Sequence, residues 1–572
     1  MIIKGTPVSQ GIAIGEVFFY KPFKPVVTEK LISDNEIHDS ISKYEMIRSQ
    51  TEQEICAIMD HMSGEDSGQQ KIFKAHIEIL FDDAVNEDIC DQIRNCHYSP
   101  EYAIHIVYEK YIQILSKTKD PLIRERTADL QDVKTRLLRL WFKVTDKDLS
   151  TLEKPVVVVA SDLAPSDTAA MNKKNVLAIL TEIGGTTSHT AILAKSYGIP
   201  AILGLPDVMQ TLNPSETVIV DAIEGRVISN ASQEEIAQYM AKMEGFDYKE
   251  RETKKFLTIE PYTDDGIRID VTLNIGSAQD RELTLAEYTD GVGLFRTEFL
   301  YMKRSTMPSE DEQYEEYKKV LQVYGEKPVI IRTLDIGGDK QLECMELPKE
   351  QNPFLGLRAL RLCFDMLPVF KTQLRALYRA GIYGSLWIMF PMVGSVGDIR
   401  FAKGIIDEIK LELAAEGFPY SESVKVGIMV EIPSIALMAD IAASEVDFAS
   451  IGTNDLCQYL TAVDRLNPKV AKYYQSYHPA MFRLIGNVVN AFNAQGKPIS
   501  ICGEMGGEPL ATSVLIGLGL RKLSMNSLSI AAVKKRITEI NIHKAERMAK
   551  TVMGLSTAAQ VENFLKSEMN IK

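Results

Sequence analysis

Beyond residue 260 the chain alternates short apolar runs with helix-favouring stretches until eight strand candidates have accumulated. They are IDVTLNI (269–275), GVGLFR (291–296), PVIIRTLD (328–335), LWIMFPM (386–392), VGIMVEI (426–432), VDFASIG (446–452), PISICGE (498–504) and KLSMN (522–526). Continuous apolar runs suit strands buried on both faces, and helical connections place successive strands parallel. Eight parallel strands with helical returns predict a (β/α)8 TIM barrel. The long interval between the third and fourth runs contains NPFLGLRALR, an extra excursion of the chain over the barrel.

The first 260 residues follow different periods. Residues 1–20 read as a strand pair that finds its partners later in the chain. From about 33 to 145, Ile37, Ile41, Tyr44, Ile47, Ile55, Ile58 and Met62 fall at helical spacing, interrupted by the polar Thr51. Leu130, Val133, Leu137 and Trp141 repeat the pattern, predicting an all-helical insert of about four helices in antiparallel hairpins. PVVVVASDL (155–163), NVLAIL, IPAIL, ETVIVDA and GRVIS then restore strand character. The reading is a multidomain α/β chain. Residues 1–20 and 148–230 form an α/β domain interrupted by a helical insert at 21–147, residues 231–260 form a helical linker, and 261–572 form the barrel.

Composition narrows the function classes. A chain of 572 residues with 45% hydrophobic and 25% charged residues is globular, and a net charge of −14 opposes binding to nucleic acid or anionic membranes. Seven cysteines without a CxxC pair suit reduced thiols, and Cys96-His97 is too little for a metal site. MIIKGTPVSQGIAIG lacks a charged leader followed by an apolar segment, so a soluble, cytoplasmic protein is expected.

Two stretches carry chemistry. In GGTTSHTAILAKSYGIP (184–200), Thr187 or Ser188 is a candidate N-cap, His189 opens the helix, and Gly198 and Pro200 end it. A phosphoryl group carried on His189 would be favoured by the helix dipole and the unpaired first-turn N–H groups. The second stretch is the rim at the C-terminal ends of the barrel strands, where this fold builds its active sites. Arg296, Arg332, Glu431, Asn454, Asp455, Arg465 and Cys502 all fall there. Singly, a strand-end arginine or glutamate is usually an ion pair; jointly they specify a ligand. Glu431 and Asp455 can hold Mg²⁺, and three arginines can neutralise a phosphate and a carboxylate. Cys502 offers a proton to an enolate, although three arginines and a cation would also favour its thiolate, so its poise stays open.

GGTTSHTAILAKSYGIPAI, GVGLFRTEFLYM, IIRTLDIGGDK, NPFLGLRALR, MVEIPS, SIGTNDLCQYLTAVDR and ICGEMGG occur in this order between 184 and 507. Together they closely resemble the bacterial phosphoenolpyruvate-protein phosphotransferases, enzyme I of the sugar phosphotransferase system. The resemblance extends to both ends of the chain. It implies phosphorylation of His189, supported by Thr168, and phosphoenolpyruvate contacts at Arg296, Arg332, Asn454 and Arg465. It further implies Mg²⁺ ligands at Glu431 and Asp455, a proton donor at Cys502, and supporting roles for Lys340 and Arg358. By the same resemblance the insert docks the small histidine-carrier protein HPr, and the barrel forms a homodimer.

Three departures stand out: Thr186 where many members have arginine, GEMGGE in place of a motif close to GEMAGD, and Asn526-Ser527 after Ser524-Met525. The resemblance implies that His189 Nε2 takes the phosphoryl group and passes it to the carrier, with release of pyruvate. A dikinase or synthase of the same barrel group needs an ATP-binding domain, for which there is neither P-loop nor length. A nitrogen-regulatory enzyme I typically carries an extra N-terminal sensory domain, whereas this sequence begins at the α/β strand. A catalytically silent phosphorelay scaffold predicts an eroded barrel rim, and the rim is complete.

Overall fold

The front of the chain is built on a sheet of β1 (Ile2–Lys4), β2 (Thr6–Ser9), β3 (Ile12–Tyr20), β4 (Val156–Ala160), β5 (Val176–Thr181), β6 (Ala201–Leu203), β7 (Thr217–Asp221) and β8 (Arg226–Ile228). Their spatial order is β1-β8-β7-β3-β4-β5-β6-β2. This computed structural model describes residues 1–21, 25–61, 67–116, 121–144, 149, 152–163, 167, 171–185, 188–278, 283–302, 306–337, 345, 350–465, 467 and 469–569. The chain divides into two compact units, Met1–Lys249 and Glu250–Lys572.

The first twenty residues supply three strands instead of the predicted pair, and none pairs with another. β1 lies against β8, β2 against β6, and β3 between β4 and β7. Gly11 makes the bend before β3 possible: its φ is +148°, and a Cβ there would lie 2.6 Å from the Pro200 ring. β3 and β4 are parallel neighbours, which requires a long crossover, and the helical insert is that crossover.

The insert has five described helices, Ile37–His61, Ser67–Leu80, Asp83–Asn95, Pro100–Ser116 and Pro121–Trp141, one more than the hydrophobic pattern predicts. Asp82 marks the extra break by accepting from the N–H of Val85 at 3.0 Å as an N-cap. Thr51 does not interrupt its helix. It is buried, and its hydroxyl donates to the Ile47 carbonyl at 2.8 Å, which satisfies the only group that could object to the core. Tyr44, Ile47, Ile55, Leu130, Val133 and Leu137 are buried in one cluster, as their spacing requires.

Residues 233–254 form one helix, Gln233–Lys254, followed by the short turn Lys255–Thr258. Its first half is fastened to the sheet at Asp221, whose carboxylate accepts from Lys242 Nζ at 2.9 Å and Tyr239 Oη at 3.3 Å.

The second unit is a closed barrel of β9 (Asp270–Ile275), β10 (Val292–Arg296), β11 (Val329–Arg332), β12 (Leu386–Phe390), β13 (Lys425–Val430), β14 (Phe448–Ile451), β15 (Ile499–Ile501) and β16 (Lys522–Met525). Every pairing is parallel, β16 closing on β9. All eight predicted strands are present. Alternation along the strands separates two apolar sets. Leu294, Ile330, Trp387, Met389, Met429 and Phe448 cluster with Cys502, while Val292, Ile331, Ile388, Ile428 and Val430 join the larger core with the helices. No described helix is long and apolar enough to cross a membrane.

Candidate active site

Strand ends position the rim. Arg296 and Arg332 terminate β10 and β11 and are register partners, so two guanidinium groups start side by side. Arg332 is buried, its Nη2 donating to Glu298 Oε1 at 2.7 Å and its Nη1 lying 2.9 Å from Asp335 Oδ2. Arg358, on the predicted excursion, is also buried and meets the same Asp335 through Nε at 3.0 Å and Nη2 at 3.2 Å. Its other contacts are Asp455 Oδ2 at 3.1 Å, Asp455 Oδ1 at 3.4 Å and Tyr459 Oη at 3.3 Å. One carboxylate, Asp335, therefore cross-links two arginines, and a second, Asp455, continues the chain. Arg465 Nη2 lies 3.8 Å from Asp455 Oδ1 and stays partly exposed.

Glu431 follows β13 and is buried, with Oε1 accepting from the Met392 N–H at 2.7 Å. Burial first, and then the Asp455 and Asp335 carboxylates, push the Glu431 carboxyl above the ordinary range against the pull of Arg332 and Arg358. A buried acid repelled by neighbouring acids is a place where a cation lowers the energy. Mg²⁺ takes one or two carboxylates while leaving its other positions to water and substrate oxygens, and Glu431 and Asp455 lie near enough for the charge of one to raise the other. Glu431 and Asp455 fit that ion.

Asn454 and Asp455 occupy the first turn of the helix Thr453–Thr461, directly beyond β14. Cys502 stands one residue beyond β15, buried, its Sγ 3.7 Å from the Ile451 carbonyl. Burial pushes the thiol up to about 11, with Ser450, Arg332 and Arg296 pulling the other way. That direction favours the protonated form, which is the form a proton donor needs.

In the first unit, His189 is the first residue of the helix His189–Tyr197. Ser188 is its N-cap, accepting from the Ala191 N–H at 3.2 Å, and Gly198 closes it in the left-handed conformation at φ 65°. Thr168, Thr186, Lys340 and the side chain of His189 lie outside the described residues. The structure thus brings Arg332, Arg358, Glu431, Asp455 and Cys502 to one rim, with Arg296, Asn454 and Arg465 beside them. His189 belongs to the other unit. Sequence reasoning left two residues without a role, Glu298 and Asp335. Both are buried acids within three residues of a strand-end arginine, a spacing that could have marked them.

Domain families of the phosphoenolpyruvate-utilising class match the chain. The PEP-binding domain of PEP-utilising enzymes covers residues 250–542, their mobile domain 152–225, and their N-terminal domain 4–126. Curated proteins named phosphoenolpyruvate-protein phosphotransferase match from Bacillus sp. (strain S), at 41% identity over 100% of this chain and 98% of that protein, and from Geobacillus stearothermophilus, at 42% over the same shares. One from Bacillus subtilis is 40% identical over 99% of this chain and 99% of that protein. The chain belongs to the phosphoenolpyruvate-protein phosphotransferase family.

Proposed function

We propose that the protein transfers the phosphoryl group of phosphoenolpyruvate to His189, releases pyruvate, and passes the group on to a histidine of the carrier HPr, the first step of sugar uptake by a phosphotransferase system. The observation that carries this reading is the barrel rim, where arginines, a repelled carboxylate pair and a protonated thiol meet. Arg296, Arg332 and Arg465 neutralise the phosphate and carboxylate of the substrate, Asn454 binds beside them, and Arg358 and Lys340 support them. Glu431 and Asp455 would hold Mg²⁺, which when bound would supply charge neutralisation for the phosphate.

His189 Nε2, backed by Thr168, forms the new P–N bond as the P–O bond breaks, and the released electron pair stays on the enolate oxygen. Cys502 delivers its Sγ proton to the methylene carbon, giving pyruvate, and the thiolate is reprotonated from solvent. The nucleophile and the substrate site lie on different units joined by the helix Gln233–Lys254, so transfer requires His189 to be carried to the barrel mouth and away again.

The domain roles follow. Residues 1–20 with 148–230 form the phosphohistidine domain, 21–147 the HPr-docking insert, 231–260 the linker, and 261–572 the substrate barrel through which a cytoplasmic homodimer forms. The test is transfer of labelled phosphate from phosphoenolpyruvate to HPr by full-length protein. Wild type labels itself and the carrier, and His189→Ala labels neither; pyruvate release at the wild-type rate by His189→Ala would refute the reading.

A further inference from the structure

The strand that leads to Cys502 is held unevenly. β15 shares three register pairs with β14 on one side but a single pair, Ile501 with Leu523, with β16 on the other. The adjoining seam, between β16 and β9, has four. On its β16 side the main-chain ladder therefore pairs only the last residue of β15, Ile501, and does not run on to Cys502, the next residue, from which the thiol emerges.

A side chain from β9 reaches past β16 to that residue. Asn274 Nδ2 donates to the Cys502 carbonyl at 3.0 Å, and Asn274 Oδ1 accepts from Ser524 Oγ, on the intervening strand, at 2.5 Å. Ser524 is fully buried, and Gly293 makes room for it: a Cβ at Gly293 would lie 2.2 Å from Ser524 Oγ. On the opposite flank, Cys502 N–H donates to the Ile451 carbonyl at 3.1 Å, and the Glu504 N–H donates to Asn454 Oδ1 at 3.1 Å. Gly503 between them has no space for a side chain, a Cβ there falling 1.8 Å from Thr453 Oγ1. The three residues Cys502–Glu504 are clasped by two asparagines from the two flanks of β15. Asn454 faces the substrate in the reading above; Asn274 joins the thiol segment to Ser524 of β16.

We propose that Asn274, backed by Ser524, is a positioning residue for proton delivery: it fixes the Cys502 main chain so that Sγ–H is held toward the substrate carbon. The partners of Asn274 are 228 and 250 residues away in sequence, so the amide does no work in a local turn or cap. A thiol has one proton and a single bond to aim it with, and a displacement of about 1 Å in such a group costs up to roughly a hundredfold in rate. The inference rests on Cys502 being the proton donor, and its test separates the two.

Asn274→Ala and Ser524→Ala are compared with wild type and Cys502→Ala in full-length protein, following pyruvate formation from phosphoenolpyruvate in H₂O and D₂O. The expected result for Asn274→Ala is a fall in kcat of about ten- to a hundredfold, with KM for phosphoenolpyruvate within about twofold and a larger solvent isotope effect. Ser524→Ala gives a smaller loss of the same kind, and the double variant is no worse than Asn274→Ala because the two act in series. Should Asn274→Ala fold poorly, Ser524→Ala carries the same kcat and isotope readout, and an unchanged kcat there overturns the proposal. Normal kcat in Asn274→Ala, or a rise in KM alone, while Cys502→Ala is impaired, overturns the role of Asn274 only. Wild-type pyruvate formation by Cys502→Ala overturns the donor assignment and this inference with it.

Discussion

Each unit buries a carboxylate at the end of a strand, and the two are treated oppositely. Asp221, closing β7, is fully buried and met from every side: Lys242, Tyr239 and Arg226 approach Oδ2, and the N–H groups of Ile223 and Glu224 donate to Oδ1. Burial raises its carboxyl, but the Lys242 hydrogen bond and the others outweigh it and hold the group below its ordinary value. Glu431, just beyond β13, is equally hidden yet faces Asp455 and Asp335, and its carboxyl is pushed up. The satisfied acid is structural, tying the helix Gln233–Lys254 to the sheet. The repelled one is a place where added positive charge lowers the energy, and such perturbed groups gather at functional sites.

The contrast breaks most sharply under substitution. Glu431→Gln is expected to lower pyruvate formation by about a hundredfold or more, as loss of a charge-stabilising group in a closed site does, while its thermal midpoint stays at or above that of wild type because a repelled acid is gone. Chelation of divalent ions should mimic the activity loss in wild type and be reversed by Mg²⁺. If Glu431→Gln unfolds readily, the two acids are alike after all.

Asp221→Asn reverses the pattern. Losing charge-assisted bonds to Lys242 and Arg226 in a buried site should cost about 1.5–3 kcal/mol of stability in the first unit, read by denaturant unfolding, with the kinetics of pyruvate formation changed little at low temperature. Loss of activity without loss of stability would show that this anchor takes part in transfer.

The smallest effect lies in acid. A carboxylate whose native value is depressed contributes stability that is fully present above its unfolded value, about 3.9, and is lost as pH falls through the native one. The first unit of wild type should therefore lose stability below about pH 4 more steeply than Asp221→Asn, in unfolding curves taken at pH 3 to 5. Parallel slopes would remove Asp221 from the account.

The barrel was legible because each strand is a continuous apolar run bounded by polar residues, and the candidate rim followed from the rule that such runs end at the active face. Arg296, Arg332, Glu431 and Cys502 were found by position alone. The extra helix in the insert was not, since Asp82 reads as an ordinary surface acid until its carboxylate is seen capping Val85. The separation of β1, β2 and β3 across the sheet was hidden for a related reason: their partners lie some 140 to 220 residues further on, and a strand's own pattern does not say which edge will receive it. Asp335 stood in the sequence only as the last residue of the third predicted strand, and its bridging of Arg332 and Arg358 needed the excursion to fold back over the rim.

Local pattern, which depends on side-chain period and on the chemistry of single residues, determined the two folds, the helix that begins at His189 and the composition of the barrel rim. Tertiary structure alone decided which of those charges meet, that burial pushes the Cys502 thiol upward, and that an asparagine of the first barrel strand reaches past the eighth to hold the Cys502 main chain. Closure of the barrel is the physical reason: it brings β9 beside β16, so groups some 230 residues apart become neighbours in a site whose low polarity magnifies every charge it encloses.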